Sequence, residues 1–180
     1  MSEMIEKQRA VDEVRMMAVQ FADLYFAFVC ELRDTFGEEE ALRLTHRVLY
    51  KRAAERAEKM IERAEELGLA RTPENITKTS DVPYLGWDKS LGADHCPYGM
   101  AWNRHIAENE WFRKFARMYC DVTDTTIAEV FTGNCSHELY ENVVLGDGDC
   151  LRRYFPDAEV AAGKRSYRPE ENGTREAKEA

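Results

Sequence analysis

Residues 14 to 41 read VRMMAVQFADLYFAFVCELRDTFGEEEA and contain a helix, its end and the start of a second helix. Apolar side chains recur at spacings of three and four from Val14 to Leu32, which is the period of an amphipathic α-helix. Gly37 interrupts this period and can adopt the left-handed conformation that ends a helix. The acidic run Glu38 to Glu40 suits the positive end of a following helix. The stretch therefore predicts two long helices that a single glycine joins as antiparallel neighbours.

The predicted helices run from about Ile5 to Phe36 and from Glu38 to Leu67. After them the sequence alternates between short strand-like runs and helical segments. The further predicted elements are, in chain order, strands at Asn75–Thr79 and His95–Trp102, a helix at Glu108–Tyr119, a short helix at Thr125–Phe131 capped by residues 121–124, and a hairpin at Glu138–Phe155.

The hairpin is predicted from alternating apolar and polar residues around Asp147-Gly148, a favoured two-residue turn. That turn would set Leu145 opposite Cys150. Helices followed by strands with an inserted helix favour an α+β fold. We expect one domain over residues 1–155 and a polar, disordered tail over residues 156–180.

The composition limits the possible partners. The 180 residues are 44% hydrophobic and 33% charged, with a net charge of −9, which disfavours binding to nucleic acid or to anionic membranes. No apolar run approaches the roughly 20 residues of a membrane helix, and no signal peptide is visible. We therefore expect a cytoplasmic protein. The five cysteines would stay reduced there, and their odd number argues against a disulfide framework.

Three cysteines lie at predicted element edges, where a side chain can reach a pocket. They are Cys96, Cys120 and Cys150. A catalytic cysteine needs a lowered pKa, since the thiolate is the nucleophile. His95 lies beside the first of these cysteines, and Arg152 lies near the last. The spacing alone leaves two interpretations open, which are one shared site and separate packing in the core.

The other two cysteines carry weaker signals. Cys30 falls within the first predicted helix, where a free cysteine normally packs as a small apolar residue. Cys135 and His137 lie in a predicted loop and could act as metal ligands. A tetrahedral zinc site, or an iron site, would combine the three edge cysteines with Cys135, His95 or His137. The sequence lacks the close Cys-x-x-Cys pairs that are common in structural zinc sites.

The arrangement resembles the L-2-amino-thiazoline-4-carboxylic acid hydrolase family over roughly Val11 to Phe155. The resemblance rests on four features. They are the N-terminal helical pair, Cys96-Pro97 after a strand-like run, Cys120-Asp121 after an aromatic helix, and Gly146-Asp147 with Cys150 in the last hairpin.

The resemblance implies a small-molecule substrate and a hydrolase that acts on a carbon–nitrogen bond of a cyclic amidine, opening the ring to an N-carbamoyl amino acid. A thiolate or an activated water would attack the amidine carbon, and a histidine, His95 or His105, would protonate the leaving atom. An arginine would hold the substrate carboxylate. The implied residues are catalytic Cys96, Cys120, Asp121, Cys150 and His95, and substrate-binding His105, Arg104 and Arg152.

Two other classes of function remain open. The cysteine pattern is also similar to 4-vinyl-reductase-like domains, which implies a cysteine-ligated metal-binding or small-molecule-sensing domain. The first helix carries more apolar residues than one stripe needs, among them Met16, Met17, Phe26 and Val29. A helix that is apolar on most sides is normally covered from several directions. We therefore expect a homo-oligomer formed through the helical hairpin.

Overall fold

The fold is a helical hairpin on which three further helices and a small sheet are built. The computed structural model describes residues 5–91, 95–133 and 135–156. Helices α1 to α5 span Lys7–Phe36, Glu38–Leu67, Ile76–Thr79, Pro97–Glu108 and Arg113–Thr132, and strands β1 and β2 span Cys135–Glu141 and Leu151–Pro156. Short 3-10 turns lie at Pro73–Asn75, Tyr84–Trp87, Lys89–Leu91, Glu110–Phe112 and Val143–Leu145. The predicted α+β class is confirmed.

The N-terminal hairpin forms where the sequence predicts it. Gly37 separates α1 from α2 with a φ of 80°, a value that favours glycine, and its N–H donates to the carbonyl of Arg33. Gly68 ends α2 in the left-handed conformation. Within the described residues, no helix is long and apolar enough to cross a membrane.

The core has an aromatic half and an alanine-rich half. Around α1 and α4, Trp102 is fully buried and donates through Nε1 to the carbonyl of Ala22 at 3.2 Å. Between α2 and α5 the contact side of α2 is lined by small residues, including Ala53 and Ala57, which let large side chains such as Phe131 fit between the helices. This packing against α2 determines which side of α5 is left to face the rest of the fold.

Two predicted strands are helical in the structure. Asn75–Thr79 belongs to a 3-10 turn followed by α3, and the Thr79 hydroxyl donates back to the Asn75 carbonyl at 3.0 Å. His95–Trp102 contains the start of α4, with Pro97 at the first helical position, where its missing N–H is not needed. The period-two prediction was wrong because a proline-led helix start outweighs a short alternation.

The predicted break after Cys120 was also wrong. Asp121 does not cap a new helix, because α5 continues without interruption to Thr132. The Asp121 carboxylate is instead bonded to Arg117, one turn earlier on the same helix, at 3.1 Å. The prediction of a short helix over Thr125–Phe131 therefore describes the second half of α5.

The last hairpin exists, but its turn is longer than predicted. Strands β1 and β2 pair antiparallel, with Leu139 opposite Arg152 and an irregularity before Glu141. Residues 142–150 form the connection instead of Asp147-Gly148 alone. Asn142 begins this connection by accepting from the Val144 N–H at 3.0 Å, and its own N–H donates to Asp147 at 2.8 Å. Cys150 consequently lies just before β2 and outside the ladder. The tail predicted over residues 156–180 overlaps β2 at Pro156, and its residues 157–180 lie outside the described residues.

Candidate active site

A cavity of about 390 Å³ lies between α2, α5, the sheet and the segment that joins α2 to α4. All three cysteines that the sequence places at element edges line its wall: Cys96, Cys120 and Cys150. His95 and Arg152 line it as well. Five of the eight residues predicted for the site therefore share one cavity, and its size suits a small molecule.

Helix α5 contributes one continuous side to this wall. Its lining residues are Tyr119, Cys120, Thr123, Asp124 and Ile127. Their spacings of three and four place them along one side of a helix, which requires that α5 be unbroken. Asp121 lies off this side and is almost fully buried, with its carboxylate bonded to Arg117. Asp124, and not Asp121, is thus the carboxylate that α5 brings to the cavity.

Asp124 and Arg152 form an ion pair on the cavity wall, with Arg152 Nη2 at 2.9 Å from Asp124 Oδ2. Their side chains are 30% and 41% exposed, because the cavity leaves them accessible. Burial raises the pKa of Asp124, but the charge and hydrogen bond of Arg152, together with the nearby His137 and Arg56, hold that pKa below its ordinary value. Asp124 in turn raises the pKa of Arg152. Both groups are therefore charged at neutral pH.

Cys96 lies at the N-cap of α4, and its sulfur accepts from the Gly99 N–H at 3.4 Å. The backbone N–H of Tyr98 and the side chain of Trp87 also donate to this sulfur. Burial nevertheless raises the pKa of the Cys96 thiol above its ordinary value, and these donors only offset part of that effect. The resting thiol is protonated, and its thiolate is the form that the three donors stabilise.

The other two cavity cysteines have less support for a negative charge. Burial raises the pKa of Cys120 well above its ordinary value, and the nearby Asp124 charge raises it further. Burial also raises the pKa of Cys150 to about 11. The Cys150 sulfur lies 4.0 Å from Asn142 Oδ1. Cys96 is therefore the best-supported nucleophile of the three.

An imidazole–carboxylate contact joins the segments that carry Cys96 and Cys150. His95 Nδ1 lies 3.5 Å from Asp149 Oδ1, and Lys89 lies 3.2 Å from the other oxygen of Asp149. His95 and Lys89 both line the cavity. The Asp149 carboxylate therefore lies on the Nδ1 side of the ring, and Nε2 is the nitrogen left to exchange a proton with another group.

Three predicted site residues do not line the cavity. Besides Asp121, these are Arg104, which is exposed on α4, and His105. His105 Nε2 contacts Asp23 at 2.7 Å, and its ring stacks on Phe26 with the centroids 4.0 Å apart. His105 thus connects α4 to α1 on the side of the core, away from the cavity, and its substrate-binding role stays a prediction. Cys30 and Cys135 also lie outside the cavity wall.

Several lining residues were missed by the sequence analysis or had only a weak signal there. Asp124 lies four residues after Cys120, so an unbroken helix places the two side chains on the same side. The predicted helix break concealed this relation. His137 was considered only as a metal ligand. It lies on β1, and its Nδ1 is 3.2 Å from the Thr125 hydroxyl. The aromatic members of the wall, which include Tyr84 and Tyr98, have no local signature that distinguishes them from core residues.

A metal centre at the cavity thiols stays a prediction. Within the part of the chain that the structure describes, no group of three or more His, Cys, Asp or Glu side chains is arranged to hold a metal ion.

Comparison of the chain with protein-family models, with curated proteins and with solved structures gives no match in any of the three. The resemblance to the thiazoline hydrolase family thus stays a prediction from short motifs.

Proposed function

We propose that the chain is a hydrolase that opens a small cyclic amidine carrying a carboxylate. The single observation that carries the proposal is the shared cavity, in which a thiol, an oriented histidine and an ion pair meet: Cys96, His95 with Asp149, and Asp124 with Arg152. These groups supply a nucleophile, a proton carrier and a charged anchor, which are the three parts that the reaction needs.

The charges of the wall suit an amphoteric ligand. Asp124 and Arg152 contact each other through one oxygen and one nitrogen, so each retains further acceptor or donor positions. A protonated amidine donates to the Asp124 carboxylate, and a substrate carboxylate accepts from the Arg152 guanidinium. Exchange of one internal ion pair for two ligand contacts keeps every charged group paired, and this limits the cost of desolvation.

The proposed chemistry begins with transfer of the Cys96 proton to His95. The thiolate attacks the amidine carbon, and the ring carbon–sulfur bond breaks while the departing sulfur takes the proton from His95. The N-carbamoyl product keeps both nitrogens on that carbon, so the bond that breaks is the ring carbon–sulfur bond. The carbon–nitrogen double bond of the amidine acts as the electrophile. A water then adds to the same carbon, Cys96 leaves as a thiol, and the product is a urea.

The donors around Cys96 explain why this cysteine is assigned the attack. Two backbone N–H groups at the start of α4, from Tyr98 and Gly99, stabilise negative charge on sulfur only after the proton has left. The raised pKa of the resting thiol makes His95 necessary as the base. Cys120 and Cys150 remain neutral in this scheme and shape the wall.

The test is a ring-opening assay with L-2-amino-thiazoline-4-carboxylate, in which the released product thiol is titrated with a chromogenic reagent. Replacement Cys96→Ala is expected to lower kcat/KM by about 10³-fold or more. The matched control is Cys30→Ala, which removes a thiol that lies on α1 and outside the cavity. Full activity in Cys96→Ala with a folded circular dichroism spectrum would remove the thiol mechanism.

Replacement Arg152→Gln tests the anchor separately. We expect a rise in KM that exceeds the fall in kcat, because the arginine binds the carboxylate and takes no part in bond breaking. An unchanged KM for the carboxylate substrate would contradict the assigned role. Absence of any turnover by the wild-type chain would refute the cyclic-amidine proposal as a whole.

A second candidate is a small-molecule-sensing domain, which the neutral thiols and the aromatic wall favour. The pKa values of the three thiols are raised, and Tyr84, Tyr98 and Tyr119 lie on the same wall. Such a wall binds ligands without reacting with them. Calorimetric binding of the thiazoline without product formation would favour this candidate. Metal content of about one zinc or iron per chain, measured by mass spectrometry, would instead favour a metal-binding domain.

A further inference from the structure

Helix α1 carries an apolar stripe on its solvent side. The stripe consists of Met17, Phe21, Leu24 and Phe28, with Met16 beside it, and these side chains are between 41% and 70% exposed. A different side of α1, which carries Ala18, Ala22 and Val29, is already buried against α2 and α4. The stripe is therefore a second apolar surface on one helix, and an exposed apolar surface of this kind is typical of a protein-interaction site.

We propose that α1 pairs with α1 of a second copy of the chain in an antiparallel, two-fold symmetric contact. The stripe residues are spaced by four, three and four positions, a pattern that is the same in both directions. An antiparallel pair aligns every stripe residue, with Met17 opposite the partner's Phe28 and Phe21 opposite the partner's Leu24. A self-complementary contact of this kind is the usual interface of a symmetric dimer.

The charges at the two ends of the stripe select the antiparallel direction. Arg9 precedes Met16 by seven residues, and Asp34 follows Ala27 by seven, so all four lie along one edge of the stripe. In the register that aligns the stripe, Arg9 lies two residues, or about 3 Å along the helix axis, from the level of the partner's Asp34, an offset that the long arginine side chain spans. A parallel pair would oppose Arg9 to Arg9 and Asp34 to Asp34. Their side chains, 74% and 75% exposed, are accessible for this contact.

The stripe supplies most of the area that a stable dimer needs. With roughly 200 Å² for each of the five side chains, their exposed parts amount to about 600 Å² per chain. A standard interface buries about 800 Å² per partner, which the polar residues at the edges of the stripe would complete. An anionic membrane surface is a poorer occupant, since Glu13 and Glu31 lie on the same exposed side and the chain carries a net charge of −9.

Phe21 connects this surface to the cavity. Its ring lies 5.3 Å from the ring of Tyr98 and 5.7 Å from that of Tyr119, and both tyrosines line the cavity. Pairing through the stripe therefore covers the outer side of the aromatic wall. The pairing rests on the exposed side of α1 and is independent of the chemistry proposed for the cavity.

Sedimentation velocity of the full chain at micromolar concentration tests the proposal. The wild-type chain is expected to sediment as a dimer, and Leu24→Glu is expected to raise the dissociation constant by about 100-fold. The matched control is Val48→Glu on α2, which places the same charge at an apolar residue that is 66% exposed and outside the stripe. A monomeric wild-type chain, or equal dissociation by both variants, would overturn the proposal.

A charge exchange tests the direction. Arg9→Asp alone is expected to raise the dissociation constant about threefold, the scale of an exposed ion pair. The double variant Arg9→Asp with Asp34→Arg is expected to return to within about twofold of the wild type. A double variant that dissociates more than the single variant would exclude the antiparallel pair.

Discussion

Gly99 at the start of α4 packs closely against Val143, and adding one methyl group at Gly99 is a sharp test of the geometry around Cys96. A Cβ on Gly99 would overlap the Cγ2 methyl of Val143, which belongs to the turn between β1 and β2. The contact leaves no room for both groups. Gly99 also donates its N–H to the Cys96 sulfur, so a shift of the α4 start would move the proposed nucleophile.

Overpacking of this kind costs about 1–3 kcal/mol. For a chain of this size, Gly99→Ala is then expected to lower the melting temperature by about 2–12 °C, at about 2–4 °C per kcal/mol. Val143→Ala alone removes two methyl groups from a half-buried site and is expected to cost about 1 kcal/mol. The double variant removes the overlap, so its free energy of unfolding should exceed that of Gly99→Ala.

The assay is urea unfolding followed by circular dichroism on the wild type, both single variants and the double variant. The four free energies of unfolding give the coupling between the two positions. Additive losses, or a loss below about 0.5 kcal/mol for Gly99→Ala, would refute the close packing of α4 against this turn. The ring-opening assay on the same proteins then shows whether activity returns when the overlap is relieved.

Further predictions concern charge and thiols. Although burial raises it, the pKa of Asp81 is held below its ordinary value by a hydrogen bond from Arg56, so this carboxylate stabilises the fold above about pH 4 and loses that effect as the pH falls. Asp81→Asn should therefore be less stable at pH 7 in urea unfolding, with a shallower decline toward pH 3; a parallel decline in both proteins would contradict the shift. The three cavity cysteines should alkylate slowly at pH 7 and faster at pH 10, as followed by peptide mass spectrometry; fast reaction of Cys96 at pH 7 would show a lowered pKa instead. His105→Ala should lose about 1–2 kcal/mol of stability with its contact to Asp23, at unchanged kcat/KM, and a fall in kcat/KM would return His105 to the site.

The helical hairpin was predictable because its signals are local. Three signals lie within one stretch of chain: the apolar period of α1, the glycine at residue 37 and the acidic start of α2. Each of them indicates its own part of the hairpin without any long-range contact. The errors arose where two local patterns compete. The alternation over His95–Trp102 competes with Pro97, and the helix start prevails because each residue of α4 gains a backbone hydrogen bond that an isolated strand lacks.

The error at Asp121 had the largest consequence for the site. Aspartate is a good N-cap, so a helix start was a reasonable prediction, but the Arg117 guanidinium one turn earlier bonds its carboxylate and allows α5 to continue. With a break at this point, Asp124 would not share a side with Cys120. In the unbroken helix it does, and the carboxylate of the site changes from Asp121 to Asp124.

No local sequence pattern predicts the ion pair between Asp124 and Arg152. The two residues are far apart in the chain, since Asp124 lies on α5 and Arg152 lies on β2. Only the packing of the sheet on α5 brings their charged groups within 2.9 Å. Each makes the other's charge tolerable at the cavity wall, since burial alone would favour neutral Asp124. A sequence pattern can therefore locate the thiols, whereas the charge that would bind an amphoteric ligand arises only from the tertiary structure.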